Sequence, residues 1–392
     1  MINNNFTLTQ IDPYNCTIEY LEKEITKLKG IVDNKFDEEQ SIKRWIVSIY
    51  GGLGSPWFSH YDAAIAEAIT LQGQDIDKYA SRMIDDYFKN EWHLDKELHQ
   101  KLCLTYVNKA NFETLTVYMD TDSFYITYNQ ILESCDYKGN PVDFMLELKK
   151  YRLDDYLDEK LQLYANKFNT QNIQNFELEK ISHSAIMIAK KKYILDLGWK
   201  DPGIYYKSQE KIKHVGIEVV QGSTPQFARK VIKEMISYTL EKKKNLNYGE
   251  VVKKLKEYKK EFLLQNPDDI AITKSLGDYE QYILEDKKEL KLALKCPINI
   301  RAAGIYNHML LNSKWKTKYS LAKTGDKLKY YHAKGQYDLF GFLPNNFPIE
   351  FGLQIDYDTQ YFKVIIEPYN RILEALGLNR IPETMIYAKS LF

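Results

Sequence analysis

Cysteine is scarce in this 392-residue chain, and what there is forms no pattern. Cys16, Cys103, Cys135 and Cys296 lie far apart, at neither zinc-ligand nor disulfide-framework spacing. They are expected to be reduced, buried thiols of an intracellular protein. No apolar run approaches the length of a membrane span. The opening Met1-Ile-Asn-Asn-Asn is neither basic nor followed by an apolar stretch, which argues against a signal peptide. The expectation is a soluble, cytoplasmic protein with no membrane partner. An excess of either charge is missing as well. Lys plus Arg and Asp plus Glu each number 54, so any nucleic-acid contact must come from local patches. Internal repeats and low-complexity linkers are absent too.

Tyrosine is abundant by contrast, at 31 residues, which suits stacking and wet interfaces but equally an AT-rich coding sequence. The length allows a substantial core and two or three domains. Residues 1–15 are polar and turn-rich. From Cys16 a helical pattern sets Leu21, Ile25, Leu28 and Val32 on one stripe and runs through Trp45 and Ile46 to Gly51-Gly52-Leu53-Gly54. That is a helix of about 35 residues, about 50 Å long if unbroken. So long an amphipathic helix needs a partner, and nothing earlier in the chain provides one. A second helix is expected near Tyr61–Phe88 and another helical stretch over 141–170. Ile186 to Leu197 reads as a strand passing through Lys190-Lys191-Lys192-Tyr193. After Gly222-Ser223-Thr224-Pro225 a helix opens, with Pro225 early, where its missing N–H costs nothing. The remainder reads as mostly helical, with a turn-rich stretch at Gly335–Pro348. The lysines of Lys242–Lys244 and Lys253–Lys260 alternate with acids and apolar residues, as on solvated helix faces.

The most informative segment is Val117-Tyr-Met-Asp-Thr-Asp-Ser-Phe-Tyr-Ile-Thr127. It sets Asp120 and Asp122 between two β-prone apolar runs, the pattern of a tight hairpin with acids at its tip. Aspartates two apart on an extended chain point the same way. A hard cation such as Mg²⁺ takes such oxygens, with substrate phosphate supplying further ligands. Taken alone, these residues equally describe an Asp-rich surface turn.

Company decides between the two. Asp120-Thr121-Asp122-Ser123 resembles the C motif of the family B DNA polymerases, Tyr-Gly-Asp-Thr-Asp-Ser, with Met119 where Gly is common. Upstream, Lys43-Arg-Trp-Ile-Val47-Ser48-Ile-Tyr50-Gly51 resembles their B motif, Lys-x-x-x-Asn-Ser-x-Tyr-Gly. Downstream, Lys190-Lys191-Lys192-Tyr193 resembles their Lys-Lys-x-Tyr motif. Gly216-Ile217-Glu218, Ser223-Thr224-Pro225 and the run from Cys296-Pro297 through Arg301 to Tyr306-Asn307 are similar to the thumb of T-even-type phage replicative polymerases. Ala388-Lys389-Ser390-Leu391-Phe392 is similar to their sliding-clamp-binding tail. The motifs stand in the family's order and cover the chain from about residue 16 to its end.

The resemblance implies an α+β protein with an antiparallel palm sheet, a partial fingers helix and a mainly helical thumb. Residues 1–55 would be an N-terminal extension and the second fingers helix, 56–220 the C-motif part of the palm, and 221–392 the thumb and clamp-binding tail. It implies two Mg²⁺ ions, with Asp122 as a direct ligand, Asp120 beside it and Thr121 in the same turn. Lys43 and Ser48 would meet the incoming dNTP and Tyr50 the nascent base pair. Lys190, Lys191, Tyr193, Ser123, Gly51 and Arg301 would contact primer-template DNA, and Leu391 and Phe392 the sliding clamp. Val47 replaces the family's Asn, which removes a polar contact four residues after Lys43.

One required piece is not in the sequence. The family's A motif, an Asp followed by Ser-Leu-Tyr-Pro-Ser-like residues, has no match, nor does the exonuclease domain that precedes the palm. Asp12-Pro13-Tyr14-Asn15 does not fit, and Phe36-Asp37-Glu38-Glu39 falls inside a predicted helix rather than on a strand. The expectation is the C-terminal subunit of a split DNA-directed DNA polymerase, completed by an N-terminal subunit carrying the A motif and the exonuclease. The alternative is a non-catalytic module that binds primer-template and tethers it to the clamp.

Overall fold

Thr17 starts the long helix. Its backbone is extended and its side chain accepts the Tyr20 N–H at 3.3 Å, capping α1, which runs Ile18–Leu53 without a break. The structure, a computed structural model, describes residues 17–120, 122–242, 245–285 and 287–387. The turn-rich N-terminus, Cys16, Thr121 and the clamp-tail residues Leu391 and Phe392 therefore lie outside the described residues. No residue of α1 is buried, and Ile25, Leu28, Val32, Trp45 and Ile46 are all exposed. Exposed pairs such as Lys35–Glu38 at 2.7 Å add only a few tenths of a kcal/mol each. Its apolar stripe is exposed among the described residues. Gly54 ends it, its N–H bonding back to Tyr50. Asp62 then caps α2 (Ala63–Asp86), its Oδ1 accepting the Ala64 and Ile65 N–H groups at 3.0 Å.

The described chain divides into two units. The first comprises residues up to Met83 together with 122–125, and so contains α1 and most of α2. The second comprises residues 84–120 and everything described from Ile126 onward.

In the second unit, a π-helical turn at Tyr87–Glu91 leads to the fully buried Trp92 and to α3 (Lys96–Lys101). The indole N–H of Trp92 donates to Ser134 Oγ at 2.9 Å, on α4 (Asn129–Ser134). Phe144 of α5 (Pro141–Leu148) and Tyr156 of α6 (Asp154–Asn166) join this aromatic cluster. Between α3 and α4 in sequence lie β1 (Thr116–Asp120) and, past the turn at Asp122, β2 (Ser123–Ile126), of which residues 123–125 belong to the first unit. The Thr127 N–H donates to the Leu115 carbonyl at 2.8 Å, closing the hairpin at its base.

An antiparallel sheet follows: β3 (Lys180–Ala189), β4 (Lys192–Lys200), β5 (Ile204–Tyr205) and β6 (Ile212–Val215), with β4 paired to all three others. This corrects the single strand expected over Ile186–Leu197. Lys190 and Lys191 form a tight turn, and Lys191 takes φ +60°. No Gly, Pro or Asn marks the reversal, which is why the apolar run on either side reads as one strand. Ile186 and Ile194 on this hairpin pack with α7 (Gln226–Lys242) and α8 (Tyr248–Phe262) in one hydrophobic core. Pro225 stands immediately before α7, with its carbonyl accepting the Arg229 N–H. Val251, Leu255 and Phe262 are the buried face of α8, leaving most of its lysines on the other side.

The C-terminal part is mostly helical, as expected, but it also holds a sheet that was not. Short elements α9 (Pro267–Ile270), β7 (Ile272–Ser275), α10 (Tyr279–Tyr282), β8 (Ile283–Glu285) and β9 (Lys291–Leu292) lead to α11 (Ile298–Leu311). Then β10 (Lys327–Lys334) pairs antiparallel with β7, β11 (Leu339–Phe342) and β12 (Gln354–Ile355). Helix α11 packs with this sheet in a second hydrophobic core, where Gly341 lets β11 approach closely: a Cβ there would lie 2.7 Å from the Ala302 carbonyl oxygen. All four residues of β11 are buried, and so short a buried run carries no readable period. Helices α12 (Tyr357–Tyr361), α13 (Glu367–Ala375) and α14 (Glu383–Tyr387) complete the first core. The thiols also differ from expectation: Cys135 is buried and Cys296 half-buried, but Cys103 is exposed. No described helix is long and apolar enough to cross a membrane.

Candidate functional site

The residues expected to meet the nucleotide lie on the last turns of α1, in the first unit. Lys43, Val47 and Tyr50 are spaced four and three apart, which places them on one helix face. Lys43 is exposed. Ser48 Oγ donates to the Arg44 carbonyl at 2.6 Å, turned back onto its own helix. The Tyr50 hydroxyl lies 2.6 Å from Thr70 Oγ1 on α2, which fixes the ring's direction at the helix end. Around Gly51 there is open space for 4 Å, whereas a Cβ at Gly52 would press on the Phe58 ring at 2.9 Å.

Asp122 and Ser123 belong to the same unit and are exposed. Asp122 sits in the turn rather than on a strand, so the alternation that would align it with Asp120 does not apply. Its neighbour on α2 is Asp77, a carboxylate only 2% exposed. Burial pushes the Asp77 carboxyl up to about 6; the charge of Asp122 adds to this, and a hydrogen bond from the Ser123 backbone opposes it. Asp77 Oδ2 is buried and has no hydrogen-bond partner among the described residues.

In the second unit, Asp120 ends β1 with its carboxylate 3.7 Å from Lys191 Nζ. The Tyr118 hydroxyl accepts the Lys191 backbone N–H at 2.8 Å and lies 3.4 Å from Asp120 Oδ2 as a donor. The Tyr118 and Tyr193 rings pack with centroids 5.7 Å apart. Asp120, Lys191 and Tyr193 are thus brought together, and both turn residues, Lys190 and Lys191, are exposed. Arg301, on α11, is paired to Asp338 at 2.8 Å.

A divalent cation fits these donors only in part. Among the described residues no group of three or more acidic, His or Cys side chains gathers. The first unit offers Asp122, with Asp77 beside it. Such a sparse oxygen set suits Mg²⁺, which keeps several waters and takes one or two carboxylates plus substrate phosphate.

No family model matches the chain. Among curated proteins, the DNA-directed DNA polymerase of Enterobacteria phage T4 is 27% identical over 279 residues, covering 67% of this chain and 28% of that protein. The DNA-directed DNA polymerase of Escherichia phage RB69 is 27% identical over 215 residues, covering 51% of this chain and 22% of that protein. The DNA polymerase of Choristoneura biennis entomopoxvirus is 29% identical over 181 residues, 44% of this chain and 18% of that protein. The chain resembles viral family B DNA polymerases. It spans about a quarter of the phage relatives' length.

Three residues of this polymerase-like chain were not singled out from sequence. Asp77 shares the buried stripe of α2 with Ala80, Ser81 and Ile84, so an acid at a core position was its signal. Tyr118 and Gly216 lie inside recognised motifs, but nothing in their spacing announces their contacts with Lys191.

Proposed function

We propose that this chain forms part of a template-directed DNA polymerase, with the second fingers helix and N-terminal extension in residues 1–55, the C-motif part of the palm in 56–220 and the thumb in 221–392. The similarity to phage DNA polymerases carries the reading. Its support within the chain is the order of the motifs on α1, the β1–β2 turn and the β3–β4 turn.

In this reading, Asp122 binds Mg²⁺, with Asp120 and Thr121 in the same segment. The bound ions would neutralise charge developing on the transferred phosphoryl group. The chain's own groups bind and orient. Lys43 offers a flexible point charge for the triphosphate, with Ser48 on the same helix end. Tyr50 sets a flat ring against the minor-groove side of the new pair, where shape rather than sequence is checked. Gly51 leaves room for backbone to approach DNA. Lys190, Lys191, Tyr193, Ser123 and Arg301 grip the primer-template, with Arg301 exchanging Asp338 for phosphate. Phosphate contacts of this kind weaken steeply with salt. The second catalytic carboxylate comes from a partner subunit bearing the A motif, whose fingers helix covers the open stripe of α1. Leu391 and Phe392 anchor a sliding clamp.

The second reading, a DNA-binding clamp tether without catalysis, is favoured by Val47, an exposed apolar side chain at the position of the family's Asn. Primer extension with Mg²⁺ and four dNTPs separates the two. The samples are this chain, this chain with a protein carrying the A motif, and that mixture with Asp122→Ala. Synthesis in the mixture that is lost in the variant supports a shared active site. Synthesis that survives Asp122→Ala makes this chain a tether.

A further inference from the structure

Lys191 has an unusual backbone for its residue type. It is a non-glycine residue at φ +60°, a conformation that crowds Cβ, and its turn contains no Gly or Asn to take the strain. Two neighbours grip the peptide groups of that residue. On one side the Tyr118 hydroxyl accepts the Lys191 N–H at 2.8 Å. On the other, Gly216, itself at φ +63°, lies against the Lys191 carbonyl so closely that a Cβ there would stand 1.9 Å from its oxygen. Only glycine leaves that space.

The same hydroxyl reaches the carboxylate next door. Tyr118 lies 3.4 Å from Asp120 Oδ2 as donor, and the Lys191 ammonium lies 3.7 Å from the same oxygen. Tyr118 is fixed in turn by packing on Tyr193, whose strand pairs at Tyr193↔Val215, one residue before Gly216. The clamp thus joins β1, the β3–β4 turn and the end of β6 around one lysine. Its ammonium is exposed and, among the described residues, paired at the long end of ion-pair distance, and so is available to an anion.

The geometry points to Tyr118 and Gly216 as positioning residues that hold the Lys191 turn in a strained form, presenting its ammonium beside Asp120 for exchange onto a DNA phosphate. The DNA half of this statement rests on the polymerase reading above. Without the clamp, the turn relaxes to a commoner conformation and the ammonium leaves the carboxylate. With it, a phosphate bound by Lys191 releases Asp120 from its cation, so grip on the duplex and the charge at the hairpin tip are coupled.

Two measurements on the full chain test this, using Tyr118→Phe, Gly216→Ala and Lys191→Gln. The first is hydrogen exchange at the Lys191 amide. Tyr118→Phe keeps the ring and removes only the hydroxyl, so exchange at this one amide should accelerate while protection in β4 stays. Unchanged protection overturns the clamp. The second is affinity for a labelled primer-template duplex over a salt series. Lys191→Gln should lower the salt slope by about 0.9, the loss of one phosphate contact. Tyr118→Phe should weaken binding about 2–10-fold, the range of one hydrogen bond, and should have no further effect in the Lys191→Gln background. Gly216→Ala should match or exceed Tyr118→Phe in both measurements. An undiminished effect of Tyr118→Phe in that background overturns its action through Lys191. A normal salt slope in Lys191→Gln, with the amide deprotected in Tyr118→Phe, removes the DNA role and leaves the clamp standing.

Discussion

Replacing Asp77 by Asn should make the protein more stable at neutral pH, although a buried hydrogen-bonding residue is being altered. The carboxyl is 2% exposed and lies near the Asp122 charge; burial and that charge raise it from 3.8 to about 6. A raised acid costs stability once it must ionise in the folded state. Below about pH 3.8 both folded and unfolded forms are protonated, and nothing is lost. Between 3.8 and 6 the unfolded chain ionises first and stability falls with rising pH. Above 6 the cost is constant, about 3 kcal/mol. Asn cannot ionise and keeps an oxygen for the Ser123 N–H, but a neutral acceptor is weaker than a carboxylate by about 1 kcal/mol. The net expectation is a gain of about 2 kcal/mol at pH 7.5 that disappears by pH 4. Urea unfolding of both proteins at pH 4, 5.5 and 7.5, with a chelator to exclude divalent cations, measures it. An Asn variant less stable at pH 7.5, or a gap that does not narrow towards pH 4, refutes the reasoning.

Three other outcomes follow from particular contacts. Asn307, 2% exposed, holds both polar groups of Ala322, its amide donating to the carbonyl at 2.9 Å and its oxygen accepting the N–H at 2.8 Å. Asn307→Leu strands both in a buried site and should cost about 3–5 kcal/mol by urea unfolding; a cost under about 1 would mean that water replaces them. Arg152 faces Asp95 with Nε 2.7 Å from Oδ2 and Nη2 3.0 Å from Oδ1, and the Asp95 side chain is 12% exposed. Arg152→Met should cost about 2 kcal/mol in thermal unfolding, less than for a fully buried pair because the guanidinium reaches solvent. Ile42, Trp45, Ile46 and Ile49 are all exposed on α1, Trp45 by 79%, so the chain alone should self-associate. Ile42→Glu with Ile46→Glu should shift it to monomer in light scattering without loss of helix, and a wild-type chain already monomeric at micromolar concentration would contradict this.

Legibility tracked how local the cause was. Helix α1 could be read to within two residues because its caps, Thr17 and Gly54, and its apolar periodicity act over a few positions. Its apolar stripe was legible too, from the spacing of Leu21, Ile25, Leu28 and Val32. The β1–β2 hairpin was legible from two β-prone runs around an acidic turn. The β3–β4 turn was not, because Lys190-Lys191 has no turn chemistry of its own. Its reversal depends on Tyr118, 73 positions away, and on Gly216. The C-terminal sheet failed for a related reason: β10 pairs with β7 more than fifty residues upstream, and propensity says nothing about such pairings.

The candidate site divides along the same line. Motifs single out residues that would touch substrate, because those types are dictated by phosphate and metal chemistry. Asp77, Tyr118 and Gly216 are dictated instead by what surrounds them. An Asp on a helix stripe, a Tyr on a strand and a Gly before Ile217 are each ordinary until burial and distance are known. Asp77 is then a carboxylate with one oxygen unpartnered among the described residues, which packing for stability alone would replace by an apolar side chain. Lys191 is a strained residue held by two others, where a turn built only for stability would use glycine or asparagine. Both positions break a local rule at a cost of order 1–3 kcal/mol, and both lie beside an aspartate of the acidic motif. Each is a departure from the most stable choice, the kind of local conflict that packing alone does not ask for.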